Sequence, residues 1–444
     1  MNTRKHLLSA ALAALLAVPA TTAVAQDGGE KTKQTVAMNQ SVYESLSAIQ
    51  EQVEAKDYAG ADVAIKALLT NEKLSPYETA QIWNLTGYSY YLQERYADAV
   101  RAYDKVLEQP ELPEALMLST LKTKAQLQFS IEDYRGALAT IKDLMNRVDE
   151  PAPDVYMLMG QAYFQLEDYD SALEPIKTGI DMYRAQGNIP KENWLLLLRV
   201  IYYEKRDYRN MIAVLEELIQ YYPKDTYLLT LAGAHSELED TMKQLVIVEA
   251  LYEKGFIDTA PYVVNLANLY LLHETPYKAA VLLEKEMDSG LVEANERNLR
   301  LLSQAWYTAR EDEKSIPPLA RAAELSDDGE LYVRLAQSYL NVENWDQAAR
   351  AVRRGLQAGG VKRTDTANIM LGMALFNQKK FSDARAAFEA ASRDDRSRRP
   401  AQQWINYVDS EIRRAELMSQ ELPEVRQSEE LEQLLKEAGE ATGG

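Results

Sequence analysis

Cysteine is absent from this sequence of 444 residues, so the chain cannot form a disulfide. The same absence excludes the lipidated cysteine by which a bacterial lipoprotein is anchored in a membrane. Neither a disulfide framework nor a lipid anchor on cysteine can therefore contribute to this protein.

Histidine is also scarce, with three residues in the whole sequence. His6 lies near the N-terminus, and His235 and His273 lack a flanking ligand pattern such as H-E-x-x-H. Glycine-rich phosphate loops are missing, and the short Ser119-x-x-Lys122 pattern has none of its companion motifs. We therefore predict that the protein is not an enzyme, and we assign no catalytic, metal-ligating or cofactor-binding residue.

Long hydrophobic runs are lacking beyond the N-terminus, where a single apolar run covers residues 7–18. Such a run is too short to span a bilayer, which takes roughly 20 residues. Arg4 and Lys5 precede it, and an A-x-A cleavage site follows it at 23–25. We interpret residues 1–25 as a cleavable signal peptide, which predicts export to the periplasm and no transmembrane segment in the mature chain.

Basic residues are outnumbered, since 49 lysines and arginines face 68 aspartates and glutamates and the net charge is −19. A chain this acidic is repelled by phosphate backbones, which argues against nucleic acid as a partner. The length exceeds the about 250–300 residues that one compact core usually supports. The chain therefore has several domains, or its architecture grows in one dimension by repetition.

One pattern recurs along most of the sequence. In RYADAVRAYDKVL, from Arg95, an aromatic residue is followed by alanine three positions later and by a second aromatic four positions after that. The first, anchoring aromatic recurs at Tyr58, Tyr96, Tyr134, Tyr169, Tyr208, Tyr277, Trp345 and Phe381, with degenerate copies near Met242 and Glu313. Before the anchor, Trp83, Gly87 and Tyr90 have the spacing of one helical face. Each repeat is therefore predicted to be a pair of helices.

The W-x-x-x-G-x-x-Y … Y-x-x-A-x-x-x-Y arrangement resembles the tetratricopeptide repeat. The resemblance implies an all-α fold, a right-handed superhelical solenoid of about ten helix pairs with a concave groove. A small residue such as Gly87 lets the second helix approach closely, and Arg199 departs from the pattern near such a small position. We place the solenoid at residues 40–398, after an N-terminal linker at 26–39.

Two interpretations compete for the aromatic residues. The anchors and Tyr103 recur at the repeat period, which favours packing between helices. Tyr88 and Tyr91 fall on the opposite side of their helix, at positions that face the groove in the repeat family. Together with their equivalents and nearby amides they form a predicted partner-binding groove, which comprises Asn84, Tyr88, Tyr91, Gln161, Phe164, Gln165, Gln337, Asn341, Met373, Phe376 and Asn377.

Rings and amides on this predicted groove suit an extended peptide, because amides pair with its backbone and rings take its side chains. An ordinary solvated face is the alternative. The carboxylate clamp of the family, which places lysine and asparagine at set groove positions, is not expected. Asn84 and Tyr88 hold its first two positions here, and no lysine is present.

Charge is distributed unevenly near the C-terminus. Between Arg350 and Arg414, fourteen basic residues face seven acidic ones. We predict a basic patch for an acidic partner or for the chain's own tail, formed by Arg350, Arg353, Arg354, Arg396, Arg398 and Arg399. The alternative is a charged but otherwise ordinary helix surface.

The end of the chain is predicted to close the solenoid. Residues 399–417 form a capping helix, because one helical face carries Trp404, Ile405, Val408 and Ile412. Residues 418–444 are acidic and polar and are predicted to be a disordered tail, except for a short helix within 428–438.

The segment GVKRTDTANIMLGMALFNQKKFSDARAAFEAASRDDRSRRPAQQWINYV, from Gly360, looks like the periplasmic tetratricopeptide proteins that are encoded beside TonB–ExbB–ExbD systems in marine gamma-proteobacteria. This resemblance implies a non-catalytic periplasmic adaptor, accessory to a TonB-dependent energy-transduction and uptake complex, with a protein as its partner. A scaffold for outer-membrane biogenesis or polysaccharide export is the alternative, and a groove-based enzyme or small-molecule binder ranks last. The oligomeric state is left open.

Overall fold

The computed structural model describes residues 38–326 and 328–441 of the chain. Within these residues there are 21 helices and no strand, so the predicted all-α repeat solenoid is confirmed. The helices form two compact units, with the boundary between Met182 and Tyr183. The predicted signal peptide at 1–25 and nearly all of the linker at 26–39 lie outside the described residues.

Among the described residues, the first unit contains seven whole helices and most of an eighth, whose last residues lie beyond the boundary. These helices are α1 (Gln40–Glu54), α2 (Tyr58–Leu69), α3 (Pro76–Leu92), α4 (Tyr96–Leu107), α5 (Glu114–Ser130), α6 (Tyr134–Asn146), α7 (Pro153–Gln165) and α8 (Tyr169–Ala185). Consecutive helices from α1 to α7 pack against one another.

The second unit contains the remaining helices, in which consecutive members also pack against one another. They are α9 (Glu192–Glu204), α10 (Tyr208–Tyr221), α11 (Asp225–Glu237), α12 (Thr241–Glu253), α13 (Ala260–Leu272), α14 (Pro276–Asp288), α15 (Glu296–Thr308), α16 (Asp312–Glu324), α17 (Gly329–Asn341), α18 (Trp345–Ala358), α19 (Thr364–Asn377), α20 (Phe381–Ser392) and α21 (Asp395–Ala441).

The second helix of every pair begins within one residue of a predicted anchor, the two degenerate copies included. Close approach of the paired helices explains the small residues of the pattern. A Cβ added to Gly372 would lie 2.5 Å from a ring carbon of Phe388, and one added to Gly160 would lie 2.3 Å from Ile176. The period of the sequence therefore reflects contacts between the two helices of each repeat.

The turn within each pair contains a residue in the left-handed backbone region, two positions before the second helix. None of these residues is glycine, and they are Lys56, Glu94, Glu132, Glu167, Arg206, Glu239, Glu274, Arg310, Glu343 and Lys379. A left-handed conformation costs an L-residue about 1–2 kcal/mol. The repeated turn therefore carries a repeated backbone cost, which the packing of the two helices offsets.

Replacing Glu132 by glycine is expected to stabilise the first unit by up to about 1 kcal/mol, because glycine adopts a positive φ without steric penalty. Glu132 has φ 61° and an exposed side chain, so little else is lost. Urea unfolding measures the change. The matched control is Glu216→Gly, in the interior of α10, which should destabilise by about 1 kcal/mol. Equal destabilisation by both changes would contradict this account of the turn.

Tyrosines link neighbouring repeats in the second unit. The Tyr252 hydroxyl donates to Glu286 at 2.6 Å, and the Tyr270 hydroxyl donates to Glu249 at 2.8 Å. The Tyr252 hydroxyl lowers the pKa of Glu286, although burial opposes that change. A lysine completes each group, since Lys278 also bonds to Glu249. Part of the high tyrosine content therefore serves packing and hydrogen bonding between repeats.

The last helix packs against the final repeat. Ile405 and Val408 of α21 are buried in its core, and Trp404 stacks on Phe388 with centroids 5.2 Å apart and planes at 6°. The start of α21 is also held by polar contacts, because Ser397 donates to the buried carboxylate of Asp365 at 2.7 Å. These contacts cover the apolar end of α20.

The helix α21 is longer than the sequence predicted. It runs from Asp395 to Ala441, so it begins before 399 and continues through most of the segment 418–444, for which we predicted disorder. The physical reason is composition: beyond Ala415 the segment is rich in Glu, Leu and Gln, which are good helix formers. Low hydrophobicity favours disorder, but it is equally compatible with a helix that extends beyond the core.

Candidate partner-binding site on the first helices of the repeats

The eleven predicted groove residues all lie on first helices of repeats, namely α3, α7, α17 and α19. Two of these helices belong to the first unit and two to the second. In the first unit α4, α5 and α6 lie between α3 and α7 in the chain, whereas α17 and α19 of the second unit pack against each other. The predicted groove residues therefore fall in two separate units, with two helices in each.

The predicted groove aromatics also pack within their own repeats. The ring centroids are 6.0 Å apart for Tyr91 and Tyr96, 5.7 Å apart for Phe164 and Tyr169, and 5.4 Å apart for Phe376 and Phe381. Phe129 and Tyr134 form an equivalent ring pair, and their positions in the sequence are also five residues apart. Each of these four rings contacts the anchor of its repeat, so Tyr91 also makes packing contacts and is not distinct from the packing tyrosines in this respect.

Three of the predicted groove amides, Gln337, Asn341 and Asn377, are exposed and hydrogen-bonded within their helices. Gln337 donates to Asn341 at 2.9 Å, and Asn377 donates to the carbonyl oxygen of Met373 at 2.9 Å. Gln165 is exposed, whereas Asn84, Tyr88 and Gln161 are half-buried. These side chains keep hydrogen-bonding capacity for a partner, and their role in binding stays a prediction.

The six arginines of the predicted basic patch divide between α18 and α21. Arg350 pairs with Asp346, Arg398 pairs with Asp395, and Arg396 pairs with Asp394 at 2.7 Å. The guanidinium carbon of Arg354 lies 5.0 Å from the ring centroid of Tyr332. Arg353 and Arg399 are exposed. Three of the six charges are therefore neutralised locally, which weakens the field that an acidic partner would meet.

A cavity of about 460 Å³ lies between α9, α10 and α11 of the second unit. We call it the α9–α11 pocket, and it is lined by Arg199, Val200, Tyr203, Glu204, Tyr208, Met211, Thr230, Gly233, Ala234 and Glu237. Val200 and Gly233 stand at the repeat position of Tyr88 and Gln161, eight residues before the second helix. Tyr203 stands at the position of Tyr91, and Glu204 and Glu237 at that of Gln165. The pocket therefore occupies the predicted face, but in repeats that were not singled out.

The space of the pocket comes from Gly233. No atom lies within 4 Å of a Cβ added to this residue, whereas other repeats have a larger residue, such as Tyr88 or Gln161, at the equivalent position. On the other side of the pocket, Tyr203 leaves 55% of its surface exposed. A missing side chain and an exposed ring together produce a cleft that a partner's side chain can enter.

Arg199 provides the unusual electrostatics of the pocket. Its side chain is half-buried, its buried Nε has no hydrogen-bond partner, and it forms no ion pair with a described residue. Desolvation lowers the pKa of Arg199, because burial disfavours the charged form. Two exposed carboxylates, Glu204 and Glu237, also line the pocket. Desolvation and the carboxylate of Glu237 raise the pKa of Tyr208.

Sequence reasoning missed this pocket, although both of its signals were visible. Arg199 departs from the repeat pattern, and Gly233 is a glycine in the interior of a predicted helix. Neither signal indicates a cavity by itself, because the space depends on three helices at once. Among the described residues there is no group of histidine, aspartate and glutamate that could hold a metal ion, and no helix with the length and apolar character to cross a membrane.

Sequence comparison identifies the repeats directly. Family models described as tetratricopeptide repeat match residues 46–113 and 333–398, residues 153–186 and residues 196–225. No curated protein sequence matches the chain. The matched segments are tetratricopeptide repeats, and the chain is an all-α repeat solenoid. Proteins of this repeat class are generally non-catalytic, and the fold indicates a scaffold for protein–protein interaction.

Solved structures that match this chain share little sequence with it. A tetratricopeptide repeat protein from Parabacteroides merdae is 19% identical over 60% of this chain and 99% of its own, with a TM-score of 0.36. Naa15/Naa10 bound to HypK-THB is 14% identical over 82% of this chain and 60% of that chain, with a TM-score of 0.42. YrrB, described as a TPR protein with an unusual peptide-binding site, is 12% identical over 41% of this chain and 88% of its own, with a TM-score of 0.33.

Proposed function

We propose that this protein is a non-catalytic adaptor of the periplasm, accessory to a TonB-dependent energy-transduction and uptake complex. The observation that carries the binding role is the α9–α11 pocket, an open cleft on the first-helix face of a tetratricopeptide-repeat solenoid. The resemblance of the segment from Gly360 to periplasmic proteins encoded beside TonB systems supports the TonB role. The signal-peptide pattern at 1–25 supports export.

The pocket suits a segment of a partner protein better than a free small molecule. Its walls combine apolar side chains, Val200, Met211 and Ala234, with a few polar groups, and it opens to solvent beside the exposed ring of Tyr203. A side chain of an extended peptide can enter such a cleft while the backbone of the peptide stays outside. On this proposal, the partner lies on the face that carries the predicted groove residues.

Photo-cross-linking in living cells tests the proposal. A photoreactive phenylalanine derivative replaces Tyr203 at the pocket, and in separate strains it replaces Arg399 or Tyr221. Tyr221 is the matched control, because it lies on α10 outside the pocket and is 40% exposed. We expect Tyr203 to capture a component of a TonB, ExbB or ExbD assembly, and Tyr221 not to capture it. Capture only of outer-membrane assembly or polysaccharide-export proteins would refute the TonB role and would favour the envelope-assembly alternative.

A further inference from the structure

Arg199 occupies a position that is small or apolar in every other repeat of the described chain. This position lies nine residues before the second helix, and elsewhere it holds Ile49, Gly87, Ala125, Gly160, Ala232, Ala267, Ser303, Ala336 and Gly372. All nine of these residues are buried. The guanidinium of Arg199 therefore stands where the other repeats have a buried small or apolar residue. Packing between the helices does not require an arginine at this position.

Two buried carboxylates among the described residues, those of Asp365 and Glu78, have partners. Asp365 accepts hydrogen bonds from Arg363 and Ser397, each at 2.7 Å, and Glu78 accepts one from the backbone nitrogen of Asn39 at 2.7 Å. Arg199 differs, because its buried Nε has no hydrogen-bond partner and its side chain forms no ion pair with a described residue. A partly desolvated guanidinium without a partner is costly. An anion that enters the pocket would remove that cost.

We propose that the α9–α11 pocket binds a single carboxylate of the partner through the guanidinium of Arg199. This proposal rests on the proposed function, since it names the chemical group by which the partner is held. An arginine binds a carboxylate with paired hydrogen bonds in one plane, and the pairing is strengthened where water is partly excluded. The arrangement differs from the clamp of the repeat family, whose lysine is missing here.

The rim of the pocket restricts the charge of the ligand. Glu204 and Glu237 are exposed and stand on two helices, α9 and α11, that border the cavity. Their like charge repels a second negative charge, so a dianionic phosphate is disfavoured relative to one carboxylate. The same two carboxylates favour a lysine or arginine beside the acidic group in the bound peptide. The pocket therefore selects one acid with basic neighbours.

A selection experiment on the full chain tests the carboxylate. Random 12-residue peptides are displayed in two libraries, one with free C-termini and one with amidated C-termini, and are selected on the wild-type protein, on Arg199→Ala and on Arg199→Glu. We expect at least tenfold enrichment of aspartate, glutamate or a free C-terminus by the wild-type protein. Enrichment at an internal position in both libraries identifies a side-chain carboxylate. Enrichment only in the free library identifies a terminal one.

The variants distinguish the inference from the proposed function. Arg199→Ala reproduces the alanine of four other repeats and should lose the acidic preference, and Arg199→Glu should select lysine or arginine. The matched control Arg135→Ala, an exposed arginine of α6, should keep the acidic preference. Peptides selected without acids, or with the same acids by Arg199→Ala, would overturn the carboxylate site alone. Failure of the wild-type protein to select any peptide would overturn the binding role as well.

Thermal unfolding provides an independent readout. A guanidinium without a partner contributes little to stability, so the Tm of Arg199→Ala should equal or exceed that of the wild-type protein. A fall of more than about 4 °C would show that Arg199 supports the fold, and it would overturn the inference.

Discussion

Replacing Phe388 by alanine is expected to lower the free energy of unfolding of the C-terminal repeats by about 3–5 kcal/mol. Phe388 is fully buried, its ring stacks on Trp404, and Gly372 leaves the space that the ring fills. The change removes a large apolar surface and leaves a cavity between α19, α20 and α21. Because α21 packs on this ring, it should detach from the repeat.

Hydrogen exchange measured by mass spectrometry localises the effect. In a repeat solenoid each repeat contacts only its neighbours, so α19, α20 and α21 should exchange much faster while α9 to α13 stay protected. The matched control is Phe381→Ala on the same helix. Because the ring of Phe381 is half-buried, its loss should lower the free energy of unfolding by only about 1–2 kcal/mol. Equal effects of the two alanine changes would contradict the placement of Phe388 at the centre of this core.

Replacing Asp365 by alanine is expected to lower the free energy of unfolding by about 2–3 kcal/mol at pH 7, because it leaves Arg363 and Ser397 without their shared partner. Asp365 is 3% exposed, and its carboxylate accepts hydrogen bonds from Arg363 and from Ser397, each at 2.7 Å. It therefore joins the first turn of α19 to the first turn of α21. Urea unfolding at pH 7 measures the loss.

The contribution of Asp365 should depend on pH in a defined direction. The hydrogen bonds from Arg363, opposed by burial, hold the pKa of this carboxyl well below its ordinary value of 3.8. A lowered folded pKa means that the stabilisation is complete above the unfolded pKa and is lost as the pH falls below it. The difference in free energy of unfolding between the wild-type protein and Asp365→Ala should thus be the same at pH 7 and pH 5 and smaller at pH 3.

Asp409 provides the control for this prediction. It pairs with Arg385 at 2.8 Å between α20 and α21, but its side chain is 34% exposed. An exposed ion pair contributes little, so Asp409→Ala should cost less than about 1 kcal/mol. An Asp365→Ala change as mild as Asp409→Ala would mean that the buried carboxylate does not hold α21 in place.

The repeats could be predicted from the sequence because they are periodic. An anchor such as Tyr96, a small residue such as Gly87 and a buried alanine such as Ala99 recur together, and each enforces the same close contact between two helices. Even the degenerate copies near Met242 and Glu313 have a helix pair. Ten independent examples of one pattern define helix boundaries that a single example would not.

The pocket could not be predicted because it arises from departures from that period. Gly233 and Arg199 each depart once from the repeat, and only their position on neighbouring helices creates a cavity with an unpaired charge. The contact between Tyr91 and Tyr96 was missed for a related reason, since the two rings come from different helices across a turn. The length of α21 was missed because its outer part lacks the apolar spacing on which helix prediction relied.

The central claim is that a partner protein inserts a side chain into the α9–α11 pocket, and filling that pocket tests it most directly. Gly233→Tyr introduces the residue that the α3–α4 repeat has at the same position, Tyr88. No atom lies within 4 Å of a Cβ added to Gly233, so nothing opposes the change. We expect the photo-cross-link from position 203 to be lost in Gly233→Tyr, while the protein keeps its helical content and Tm. An undiminished cross-link to the same partner in Gly233→Tyr would contradict the claim.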